Sequence, residues 1–120
     1  MVEQVVRITV DLAVNAGQLD VFKSIAQTMT AGSRTEPGTL GYEWFSSGDD
    51  KRFRLVETYA DADATLAHFL GPVVWDLVPK LATVCSVTRF EIYGNPGPKV
   101  REMAAGLGAE IFHYWLGINR

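Results

Sequence analysis

An α+β fold is predicted, one antiparallel sheet with helices on one face, and three observations carry it. The period of the apolar residues changes along the chain in the order strand, helix, strand, strand, helix, strand, the ferredoxin-like βαββαβ arrangement. A length of 120 residues suits a single domain with one hydrophobic core. Apolar residues make up 48% and charged ones 21%, a globular balance without a disordered tract.

The first strand is expected over residues 5–13, where Val6, Ile8, Val10 and Leu12 alternate with Arg7, Thr9 and Asp11. Asn15 and Gln18 have the spacing of a capping box, and Leu19, Phe22, Ile25, Ala26 and Met29 then recur at helical spacing to about Ser33. Glu36-Pro37-Gly38 ends that helix, because the Pro37 ring biases Glu36 away from helical backbone. A second strand follows over 40–46, a polar turn over 47–50, and a third strand over 53–59. Asp61 is placed to cap a helix that runs to Leu70, with Asp63 in the first turn where the helix dipole favours negative charge. Gly71-Pro72 breaks it, and a short helix resumes over 74–82. The β-branched run over 84–93 reads as the fourth strand.

Asn95-Pro96-Gly97-Pro98 is the strongest break in the chain. Residues 1–95 are therefore expected to form the main domain and residues 96–120 a C-terminal extension of it. The extension reads as a helix over 99–106 and a strand over 110–116, whose Ile111, Phe112, Tyr114, Trp115 and Leu116 are too apolar to be left in water. Helices can cover only one face of such a sheet. The other face is expected to carry apolar side chains and so to pair the chain as a homodimer.

Composition excludes several functions. The net charge is −3 and the basic residues are scattered, so no nucleic-acid footprint is expected. Gly71-Pro72 and Asp76 interrupt the longest apolar stretches, so no membrane span is expected, and the N-terminus lacks the basic and apolar regions of a signal peptide. Cys85 stands alone, which suits a reducing cytoplasm. The two histidines, His68 and His113, lie far apart without a spaced carboxylate partner, so no metal site is expected.

Glu57 and His68 are the candidates for chemistry. Glu57 shares a strand face with Phe53, Leu55 and Tyr59, so its carboxylate must find a partner or be desolvated. A purely structural Glu bonded at a cavity rim would show the same pattern. His68 lies opposite the arc of Ala62, Leu66 and Leu70, in a second stripe with Ala64, Thr65 and Phe69. Two apolar stripes on one helix imply burial on both sides, which favours an interior imidazole over a solvated one. Tyr42 and Trp44 share one face of the second strand, and Trp75 follows the Gly-Pro kink. These aromatics serve equally as core or as substrate walls.

The segments GTLGYEWF and RFRLVETYADADATLAHF resemble the antibiotic biosynthesis monooxygenase domain, or quinol-monooxygenase-like family. Its members show a Pro-Gly turn, a Gly-Tyr strand, a strand of the form rF.l.E.W and a helix of the form A..aH. Pro37-Gly38, Gly41-Tyr42, Phe53, Glu57, Ala64, Ala67 and His68 match, within a resemblance over about residues 4–93. The resemblance implies a dimeric α+β barrel and an enzyme that oxidises an electron-rich phenol or quinol with molecular oxygen, using no metal, flavin or haem. The haem-degrading branch uses an Asn, a Trp and a His. Here Tyr59 stands at the tryptophan position and the first strand offers no asparagine, so haem cleavage is not expected.

The expectation is thus a cofactor-independent monooxygenase, with a small aromatic molecule and oxygen as its partners. His68 would be the base, Glu57 and Tyr59 would orient it or the substrate hydroxyl, and Tyr42, Trp44, Phe69 and Trp75 would wall the pocket. The alternative is a non-oxidative binding or isomerase-like protein of the same fold. A dimer with a merely aromatic core is the third reading.

Overall fold

The structure, a computed structural model, describes residues 5–120; residues 1–4, counted in the domain expected over 1–95, lie outside the described residues. The chain orders its elements as β1 (Val6–Val14), α1 (Leu19–Arg34), β2 (Thr39–Ser46), β3 (Arg52–Tyr59), α2 (Ala62–Leu70), a π-helical turn (Val73–Leu77), α3 (Val78–Leu81), β4 (Cys85–Tyr93), α4 (Pro98–Ala105) and β5 (Glu110–Phe112). One sheet runs β2-β3-β1-β4-β5, antiparallel except for the parallel β4–β5 pair. This is the predicted α+β, ferredoxin-like fold with one strand added at an edge.

Alternation in β1 sends Val6, Ile8, Val10 and Leu12 into the core beneath the helices. Phe22 and Met29 meet them from α1, and Phe69, Val73 and Leu81 from the α2–α3 region. Asp61 caps α2 as expected, accepting from the Ala64 amide at 2.8 Å.

Four expectations are corrected. Gln18 caps α1 without a side-chain bond, because the Asn15 amide instead reaches the Thr83 carbonyl at 3.5 Å. The helix expected over 74–82 starts as a π turn, since Pro79 has no amide to donate into a regular α ladder. The tail strand stops at Phe112, whose carbonyl accepts from the Gly94 amide at 2.9 Å where β4 itself ends. Beyond it Trp115 and Leu116 are 87% and 76% exposed, because no strand remains to pair with them.

The fourth correction concerns the outer face of the sheet, which is more polar than expected. Arg7, Thr9 and Asp11 of β1 pair across with Thr58, Val56 and Arg54 on one side and with Tyr93, Glu91 and Arg89 on the other. Arg54 Nε lies 2.6 Å from Asp11 Oδ1. That guanidinium holds the Asp11 carboxyl below the usual carboxylate range. Apolar Phe45, Val56 and Phe112 are spread among these charges. Among the described residues no helix is long and apolar enough to cross a membrane.

Candidate active site

Local patterning explains how the site is built. Period two on β3 points Leu55, Glu57 and Tyr59 inward, leaving them 4%, 6% and 0% exposed. Helical spacing on α2 aligns Thr65, His68 and Phe69 toward the sheet, all buried. The antiparallel return of α2 lays His68 over β3, so that Glu57 and His68 line one cavity of about 150 Å³. Tyr42, Leu55, Phe69 and Phe90 supply part of its walls, and Leu107 of the C-terminal extension reaches it as well.

Inside the site the polar groups form a chain. The Tyr59 hydroxyl donates to Glu57 Oε1, and His68 Nε2 stands 3.8 Å from that same oxygen, too far for a hydrogen bond. On the other side of the ring, His68 Nδ1 is 2.7 Å from Glu36 Oε1. Thr39 donates its hydroxyl to that same Glu36 oxygen at 2.7 Å. The imidazole packs against the rings of Tyr42 and Tyr59, with centroids 5.6 and 5.2 Å away.

Burial pushes the Glu57 carboxyl above the usual carboxylate range, outweighing the imidazole and the Tyr59 hydroxyl, which pull it down. Desolvation, reinforced by Glu57, raises both Tyr42 and Tyr59 well above the ordinary phenol value. Both hydroxyls therefore stay protonated, and that of Tyr59 acts as a donor. Cys85 is buried, its thiol raised by that burial and donating to the Leu81 carbonyl at 3.3 Å.

Of the residues singled out from the sequence, His68, Glu57, Tyr42 and Phe69 meet at the cavity, and Tyr59 lies directly behind Glu57. Trp44 and Trp75 do not join them. Trp44 packs edge-on to Phe22 at 5.8 Å, and its indole donates to Thr30 Oγ1 at 2.8 Å, which ties β2 to α1. Trp75 is 64% exposed, because the π turn rotates it outward while its neighbour Val74 lines the cavity. Sequence reasoning missed Glu36, which reads as the residue before a helix-breaking proline. A carboxylate in so tight a turn, ahead of Gly38, was the available signal.

The family model described as "Antibiotic biosynthesis monooxygenase" matches residues 4–74. The fold is similar to that of MupZ from Pseudomonas fluorescens, at 21% identity and a TM-score of 0.85, covering 98% of this chain and 95% of that one. A point mutant of SnoaB, described as a cofactor-independent oxygenase from Streptomyces nogalater, is similar at 16% identity and a TM-score of 0.68, covering 79% and 96%. A conserved protein from Methanosarcina mazei is similar at 14% identity and 0.71, covering 78% and 94%. No curated protein matches by sequence.

Proposed function

This chain belongs to the antibiotic biosynthesis monooxygenase family, and from that premise we propose that it is a cofactor-independent monooxygenase of small, electron-rich phenols or quinols. The observation that carries the reading is the apolar cavity of about 150 Å³ into which both Glu57 and His68 open. A cavity of about that volume accommodates one benzene-sized ring.

A phenol with a pKa of about 10 needs a base before it can give up an electron readily at neutral pH. His68 takes the hydroxyl proton, while Glu57, held by Tyr59, receives or orients that hydroxyl. In the net reaction the ring loses two hydrogens and gains one oxygen atom, the second leaves as water, and no external reductant is consumed. The uncovered outer face of the sheet and the exposed tail support a homodimer. A lone buried thiol fits a reducing cytoplasm.

A panel of single-ring phenols and hydroquinones, assayed with an oxygen electrode, tests the reading. One oxygen consumed per substrate is expected, together with loss of turnover in nitrogen. The raised Glu57 carboxyl supports a second reading, a non-oxidative reaction in which Glu57 gives a proton and His68 takes one. Turnover that persists unchanged in nitrogen would establish that reading and overturn the first.

A further inference from the structure

We propose that Glu36 is the positioning residue of this site: its carboxylate holds the His68 ring proton on Nδ1 and leaves Nε2 as the bare, basic nitrogen at the cavity. The assignment rests on His68 being the base, as argued above, and adds what makes it one. A carboxylate can only accept, so the 2.7 Å contact from Nδ1 to Glu36 Oε1 places the proton on Nδ1. At Nε2 the nearest carboxylate oxygen is 3.8 Å away, which leaves this nitrogen without a competing bond. The same division of labour orients the histidine of serine hydrolases.

Glu36 is itself fixed. The Thr39 hydroxyl donates to the oxygen that His68 uses, and the Thr39 amide donates to the Glu36 carbonyl at 3.1 Å. The turn rests directly on α2, since a Cβ at Gly38 would stand 2.4 Å from that of Ala64. One face of the turn thus carries the carboxylate, and the helix packed on it carries the imidazole. About a fifth of the Glu36 side chain reaches solvent, enough to keep its charge hydrated. The titratable groups facing the His68 ring are Glu36 from the turn, Tyr42 from β2, and Glu57 and Tyr59 from β3.

Nitrogen NMR of the full chain labelled in its histidine rings reads this directly, with exposed His113 as internal control. The neutral His68 ring is expected to carry its proton on Nδ1. Glu36→Gln is expected to let part of the neutral His68 ring carry its proton on Nε2, because an amide donates as well as accepts, and to leave His113 unmoved. In turnover kcat should fall by about 10²-fold or more, with KM within about twofold. Glu36→Asp, which keeps an acceptor-only carboxylate, should recover part of the Nδ1 tautomer. A wild-type ring protonated on Nε2, or a tautomer ratio unchanged in Glu36→Gln, overturns the proposal. Should Glu36→Gln not fold, the wild-type tautomer and Glu36→Asp decide it. The expected spectra in a protein that consumes no oxygen would uphold Glu36 and sink the monooxygenase reading alone.

Discussion

Burial holds the Glu57 carboxyl above its ordinary value of 4.5, so folded protein retains a proton there that the unfolded chain has released. Stability linked to this group is complete below that ordinary value and is lost as pH rises through the folded-state value. Glu57→Gln keeps an acceptor for the Tyr59 hydroxyl and removes the charge. It is expected to stabilise the fold at pH 8 by on the order of 1 kcal/mol, and to leave stability unchanged near pH 4. Melting curves by circular dichroism at the two pH values check this, and a gain larger at pH 4 contradicts it. At His68 the ring is packing as well as chemistry, since it is 3% exposed and touches Tyr42, Tyr59 and Phe69. His68→Ala is therefore expected to cost about 2–4 kcal/mol of stability as well as turnover. His68→Gln should lose turnover by about 10²-fold or more at a smaller structural cost. Denaturant titration alongside initial rates separates the two effects.

Among the elements, the turn at residues 36–38 and helix α2 work as a unit. Gly38→Ala would force its new methyl group into Ala64, so a loss of about 1–3 kcal/mol is expected, together with a displaced His68. A melting temperature within one degree of wild type would show that the turn yields freely. This unit also marks how far the sequence could be read. Strands β1 and β3, helix α1 and the Asp61 cap are written in local periods and cap chemistry, so each was legible residue by residue. Glu57 and His68 were legible for the same reason, since each sits on a face that its own element defines. The Glu36–His68 contact joins residues separated by 32 positions and leaves no local pattern. The short reach of β5 was hidden too, because the apolar residues 114–116 look like a strand until the length of its partner is known. Trp75 went astray over one extra residue in a helical turn, a detail set by an amide that Pro79 lacks.

Taken as a whole, the molecule has a sheet with one face under helices and one face open, the open face carrying ion pairs among isolated apolar side chains. With Trp115, Leu116 and Ile118 at 87%, 76% and 79% exposure, a second copy is the expected cover. Light scattering at micromolar concentration should give twice the 13.2 kDa of one chain, and a mass of one chain would refute the dimer. The place of β1 in the middle of the sheet has a consequence in time. Its two neighbours are β3 and β4, one from the middle of the chain and one from beyond it. The β2–β3 hairpin can close early around its polar turn, but β1 must wait for the rest. Bringing distant strands together is slow, because loop closure costs entropy before any contact repays it. While the chain is being synthesised, the row of Val6, Ile8, Val10 and Leu12 stands beside unpaired backbone until residues 85–93 have emerged. The hours when this protein sits folded are safe ones; its exposure to aggregation is concentrated in the seconds of its making.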